Sequence, residues 1–205
     1  MIKTTFDTIQ RFLRGLKRPS RKTNLRAMQQ RGETLDDITI REVTINDIPA
    51  LAALHVQTWN ETHGGGKHSP TTVLREQQWR QQFKIKDGSW CCFIAINKQG
   101  QLIGFAKGNS YASPELPGYA GELNKIYLLL PYQRLGIGRQ LMYHIAKRFM
   151  SRGIASMALF STPQNPSCAF YSALKGEKLY AKNGAFHGGY GWKNLAMLIE
   201  HCAVA

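Results

Sequence analysis

Apolar residues recur every three or four positions in some stretches of the chain and alternate or run together in others, predicting helices and strands respectively. Ile2, Phe6, Ile9, Leu13 and Leu16 form one apolar stripe over residues 1–18, with Arg11, Arg14, Lys17 and Arg18 off it. That is a basic amphipathic helix, ended by Pro19-Ser20. Residues 20–37 are polar, basic and then acidic, as a linker would be. The expected organisation is an appendage, 1–37, and a compact domain, 38–205. In the domain, Ile38, Ile40 and Val43 suit a first strand. Asn46-Asp47 can cap a helix whose first turn admits Pro49 and which carries Leu51, Leu54 and Trp59. Gly64-Gly65-Gly66 predicts a loop, and Ser69-Pro70 starts a second helix through about Phe83. Strands from Trp90 to Asn97 and from Leu102 to Gly108 form a hairpin around Lys98-Gln99-Gly100. An irregular loop, 111–120, follows.

The stretch from Gly121 to Gly153 is the most organised. GELNKIYLLL reads as a strand closed by Pro131. Ile137, Leu141, Ile145 and Phe149 then recur at helical spacing, with Gly153 as the stop. A strand over Ala155–Ser161 follows. A short helix with Asn165 as N-cap and Pro166 in its first position runs through Leu174. Strands near Lys178–Lys182 and Tyr190–Glu200 finish the chain.

Candidate chemistry sits between the central strand and its helix, in Gln133-Arg134-Leu135-Gly136-Ile137-Gly138. Two glycines at a helix mouth let the backbone approach a ligand and aim unpaired N–H groups at it. The positive end of the helix dipole lies behind them, which suits a phosphate or pyrophosphate. A P-loop would need Lys-Ser/Thr where Arg139-Gln140 stands. A dinucleotide fingerprint would need a third glycine where Leu141 stands.

With 205 residues, 43% of them hydrophobic, the chain can bury one sizeable core. No apolar run approaches the length of a membrane span. Cys91 and Cys92 adjoin in a predicted strand and point to opposite faces, which argues against a disulfide between them. Neither CxxC nor a Cys/His cluster at zinc spacing occurs, so no metal is expected and reduced thiols in a cytoplasmic compartment are. The net charge of +14 is spread over both parts: residues 1–38 hold nine Lys/Arg against four Asp/Glu, the rest eighteen against nine. No helix-turn-helix, zinc-finger or aromatic RNP pattern accompanies it, which argues against nucleic acid. The basic N-terminal stripe is open to two readings. It docks on an anionic membrane surface, a partner groove or an organelle import path, or it packs on its own domain or on a second copy in a homodimer.

The loop between strand and helix resembles the pattern Q/R-x-x-G-x-G/A of the GCN5-related N-acetyltransferases. Asn165, Ala169, Phe170 and Tyr171 resemble the family's second signature, with alanine directly before Phe170-Tyr171 as a small departure. The order of elements over about residues 38–200 is also similar. The resemblance implies an α/β (α+β) fold: a mixed, mostly antiparallel twisted sheet of about six to seven strands flanked by about four helices and splayed at the acetyl-CoA site. It implies acetyl-CoA as co-substrate, with pyrophosphate on Gln133, Arg134, Leu135, Gly136, Ile137, Gly138 and Arg139. The pantetheine arm would lie on Ile126, Tyr127 and Leu128. It puts Tyr171 near the thioester sulfur and acceptor contacts near His55, Trp59 and His63.

Moving an acetyl group to an amine needs a deprotonated amine and a proton for the departing thiolate. Tyr171 is the candidate acid, against a role in packing with Phe170. Glu122 is the candidate base, since alternation puts it on one face of the central strand with Asn124 and Ile126; a solvated carboxylate is the other reading. Asn165 either contacts the cofactor or only caps its helix, and Cys168 lacks an activating base. The compact domain has few acids for a polycation, so the expected acceptor is a neutral or anionic amine, amino acid or peptide terminus. The competing class is a non-catalytic CoA-binding or membrane-associated module using the N-terminal helix.

Overall fold

The computed structural model describes residues 19–66 and 69–203. The apolar stripe predicted over residues 1–18 lies outside them. The described chain has six helices: α1 (Arg21–Gln30), α2 (Ile48–His63), α3 (Thr72–Lys84), α4 (Ile137–Met150), α5 (Cys168–Ala173) and α6 (Leu195–Ala203). Seven strands, β1 (Thr39–Glu42), β2 (Trp90–Ile96), β3 (Leu102–Ser110), β4 (Gly121–Leu128), β5 (Met157–Leu159), β6 (Glu177–Tyr180) and β7 (Phe186–Trp192), form one sheet in the order β1-β2-β3-β4-β5-β7-β6. The expected mixed sheet is therefore found. β4 runs parallel to β5, and β7 antiparallel to both β5 and β6.

The described residues divide into two compact units. The first holds residues up to Lys86, Ala95–Gly104 and Tyr127–Gly138; the second holds Asp87–Ile94, Phe105–Ile126 and the chain from Arg139 onward.

In the first unit, α1 replaces the expected linker. Ser20 caps it, accepting from Thr23 N at 3.1 Å, and Asn24 and Met28 are its buried positions. Two inward residues are too few to leave a visible hydrophobic stripe. Before α2 the Asp47 carboxylate reaches back, accepting from Thr44 N at 2.7 Å and from both terminal nitrogens of Arg41 at 2.7 and 2.8 Å, so it caps the 3₁₀ turn Ile45–Asp47 and not, as expected, the helix itself. Those bonds, the pair with Arg41 first, hold its pKa down at about 2. Against a cap at Ser69 in the sequence reading, α3 begins two residues later, where Thr71 accepts from Leu74 N.

In the second unit, Leu141, Ile145 and Phe149 of α4 are buried as the periodicity predicted, and Ile137 at the end of the first unit is buried too. The registered pairs of β4 with β5 are Gly121–Met157 and Glu122–Ala158. β5 ends at Leu159, so the later residues of β4 run on past it. The last predicted strand is corrected. It stops at Trp192, and α6 follows, because Asn194 accepts from Ala196 N and Met197 N and so opens a helix with Leu195, Leu198 and Cys202 inward. Among the described residues no helix is long and apolar enough to cross a membrane.

Candidate active site

The loop predicted to seat a phosphate belongs to the first unit. After the 3₁₀ turn Leu130–Tyr132, Gln133 is extended, with φ −70° and ψ 155°. Arg134 takes φ 62° and Gly136 takes φ 92°, either side of the buried Leu135. Two left-handed residues in alternation turn the chain sharply into α4. At Gly136 any side chain would be strained by that φ, yet a Cβ would meet nothing within 4 Å. Glycine is thus needed for the backbone turn, and the space before it is open to a ligand. The free N–H groups of the first turn of α4 and its dipole face the same end.

Side-chain bonds hold this loop. Gln133 Nε2 donates to Leu128 O at 2.8 Å, tying the loop to β4. Asn24 Nδ2 donates to Leu130 O at 2.9 Å and to Gln133 O at 2.8 Å. Asn24 is only 2% exposed, so both bonds are shielded from water. Below them, Tyr132 OH donates to Glu33 Oε2 at 3.0 Å, Asn97 Nδ2 donates to Tyr132 OH at 2.9 Å, and Arg31 pairs with Glu33 at 3.2 Å. The buried Glu33 carboxylate is therefore paired and hydrogen-bonded, the condition for keeping a charge inside.

The first unit also contains Tyr127, Leu128, His55, Trp59 and His63. The His55 ring lies 5.5 Å from that of Tyr127, centroid to centroid, and His55 is buried. Burial pushes the Tyr127 phenol up, against the nearby Arg75. Trp59 and His63 stack at 4.8 Å near the end of α2, and burial pushes the His63 imidazole down.

The second unit contains Glu122, Ile126, Arg139, Asn165 and Tyr171. Glu122 is half-buried on β4, and its Oε1 accepts from Asn124 Nδ2 at 3.1 Å, so the predicted common face of these two is present. Asn124 Oδ1 in turn accepts from Lys125 Nζ at 2.7 Å. Tyr171 sits on α5, 5% exposed, with its ring 5.6 Å from Phe170, 5.5 Å from Tyr190 and 6.5 Å from Trp192. The predicted N-cap is corrected: α5 begins at Cys168, and Asn165 Oδ1 accepts from Ser167 N at 2.8 Å, capping the turn before the helix. Among the described residues no group of three or more His, Cys, Asp or Glu could hold a metal ion.

Sequence reasoning passed over Asn24, Glu33 and Lys107. Asn24 left no signal, because its partners are backbone carbonyls 106 and 109 positions away. Lys107 did leave one, as a lone cation inside an apolar strand.

A seven-stranded mixed sheet, a glycine turn into a long helix after the central strand and a tyrosine helix after the parallel strand together define an acetyl-transfer fold. Residues 51–175 match the acetyltransferase (GNAT) family, and the chain belongs to that family of acyltransferases. It is similar to the uncharacterised N-acetyltransferase YuaI of Bacillus subtilis (strain 168), at 34% identity over 169 residues, covering 78% of this chain and 96% of the relative. Among solved structures, the PaiA N-acetyltransferase of Thermoplasma acidophilum in complex with coenzyme A aligns with a TM-score of 0.58 at 21% identity, over 75% of this chain and 97% of that one. A phosphinothricin acetyltransferase of Sinorhizobium meliloti in complex with acetyl-CoA aligns with a TM-score of 0.56 at 18% identity, over 76% and 86%. At these identities the structural likeness speaks for the fold alone.

Proposed function

We propose that this protein transfers an acetyl group from acetyl-CoA directly to the primary amine of a small molecule, amino acid or peptide. The observation that carries the reading is the turn at Arg134–Gly136, with φ of 62° and 92° and open space at Gly136. A backbone so shaped at a helix entrance suits a pyrophosphate, and the cations of Arg134 and Arg139 add to the dipole there. Ile126, Tyr127 and Leu128 of β4 would offer backbone groups to the pantetheine arm, which suits a strand that continues past its β5 partner.

Acetyl-CoA supplies the activated thioester. The rest is the work of side chains. An alkyl ammonium has a pKa near ~10, so it must lose a proton before it can attack. Glu122 is assigned to take that proton, directly or through one water. As the carbon–nitrogen bond forms and the carbon–sulfur bond breaks, Tyr171 is assigned to give the thiolate its proton, and the second proton shed by the acylated nitrogen restores the phenol through solvent. The close packing around the Tyr171 ring fixes where its hydroxyl lies, as a positioned acid requires. Asn165 shapes the turn that leads into α5, and Trp59 and His63 are the candidate acceptor contacts.

Gly136→Glu tests the assignment. A carboxylate in a strained conformation would stand where the pyrophosphate belongs, so acetyl-CoA affinity, measured by calorimetry, should fall at least a hundredfold in a protein that still melts cooperatively. Undiminished affinity in the folded variant would refute the site.

A further inference from the structure

Lys107 lies in the middle of β3 and is 8% exposed. A buried ammonium without a counter-charge is costly, and cations in protein interiors are ordinarily paired. Among the described residues this one has no hydrogen-bond or ion-pair partner. Its neighbours are instead the charges of β4 and the thiols of β2. Burial and Lys125 push its pKa down to about 8, while Cys92, Glu122 and Cys91 oppose them.

The direction in which Lys107 points follows from two glycines. A Cβ on Gly108 would lie 2.6 Å from the Phe149 ring of α4, and one on Gly121 would lie 2.7 Å from it. Both therefore face α4, and the adjacent residues Lys107 and Glu122 face away from it. Tyr111 N donates to Ala120 O at 2.8 Å, an antiparallel pair that brings the Lys107 part of β3 beside the Glu122–Asn124 part of β4. On that face Asn124 is already committed, donating to Glu122 and accepting from Lys125. Lys107 thus stands on the same face as Glu122, buried and without an ion-pair partner among the described residues, beside a carboxylate assigned to a substrate amine.

We propose that Lys107 binds the carboxylate of the acceptor, and that the acceptor is a free amino acid whose amine lies at Glu122. An ammonium acceptor and a carboxylate acceptor side by side on one sheet face complement the two charged groups that an amino acid carries on one carbon. The inference rests on the reading of Glu122 as the acceptor-side base.

The test uses matched acceptors: the common L-amino acids and their α-carboxamides, which keep the amine and lose the carboxylate. Coenzyme A release is followed for the wild-type enzyme, Lys107→Met and Lys107→Arg. The wild type should favour the best acid over its amide by at least about thirtyfold in kcat/KM, as expected when one partner of a shielded charge pair is removed. Lys107→Met should lose that preference by slowing the acid alone, and Lys107→Arg should restore part of it. Equal losses on acid and amide, or a wild-type enzyme indifferent to the carboxylate, would overturn the proposal. A second readout does not require turnover: the rate at which acetic anhydride labels each lysine, measured by mass spectrometry. An equimolar mixture of N-acetyl-L-amino acids should protect Lys107 at least threefold, and the corresponding amides should not. Equal protection by both would overturn the proposal even in an enzyme that releases no coenzyme A, the outcome that would count instead against acetyl transfer.

Discussion

Around Tyr171 the rings of Phe170, Tyr190 and Trp192 pack against the phenol ring, which phenylalanine would keep. Tyr171→Phe should leave acetyl-CoA affinity unchanged and lower kcat on the order of 10²–10⁴-fold, the usual loss for one positioned proton donor. The loss belongs in kcat more than in the acceptor's KM, because the hydroxyl matters only as charge grows on sulfur. A variant with wild-type kcat, measured where chemistry limits the rate, would leave the tyrosine a packing role. Lys107 makes a prediction of the opposite kind, about stability. Its pKa is lowered from 10.5 to about 8, so between those values the unfolded chain binds a proton that the folded chain does not. Stability therefore rises with pH across that window, and the cost of burying the ammonium is greatest below pH 8. Lys107→Met should melt higher than the wild type at pH 7, with the gap narrowing as the pH rises towards 10. A gap that is constant with pH would show that the ammonium carries no such cost.

Among the elements, α1 has the most consequential placement. It lies where polar composition suggests a linker, and its Asn24 holds two carbonyls of the turn that leads into the glycine loop. Asn24→Ala strands both carbonyls in a buried place, at a cost of about 1–3 kcal/mol. The expected outcome is acetyl-CoA binding weakened about tenfold, seen by calorimetry, in a protein that remains folded. Unchanged affinity would mean that the loop keeps its shape without α1. The elements that were legible share one feature: their apolar faces are wide. α4 shows four inward residues at helical spacing, and β2 and β3 are nearly continuous apolar runs. α1 buries two positions, too few to show in the hydrophobic pattern. Leu195 to Ile199 is apolar throughout and reads as strand, and the feature that decides for the helix α6 is the Asn194 cap. The loop from Gln133 to Gly138 was legible because glycine there answers a backbone demand that no other residue meets. Its support was not, since hydrogen bonds to main-chain carbonyls leave no pattern in sequence.

For the molecule as a whole, the order of elements and two separated signatures carried the family assignment, and composition carried little. The charge of +14 fits an enzyme with anionic substrates and fits a bare basic surface equally well, so it decided nothing alone. What was least legible is the proposed acceptor side, because the face that bears Glu122, Asn124 and Lys107 is assembled from two strands, and only cross-strand pairing brings these residues together. The central claim is acetyl transfer to an amine, and amine-dependent release of coenzyme A tests it most directly. The full chain is incubated with acetyl-CoA and the panel of amino acids and simple amines, free thiol is followed in real time, and products are identified by mass. The account predicts thiol release that requires an amine, matched mole for mole by the N-acetylated acceptor, with an amino acid the best of the panel. Acetyl-CoA that binds tightly yet is consumed no faster with any amine than without would contradict it.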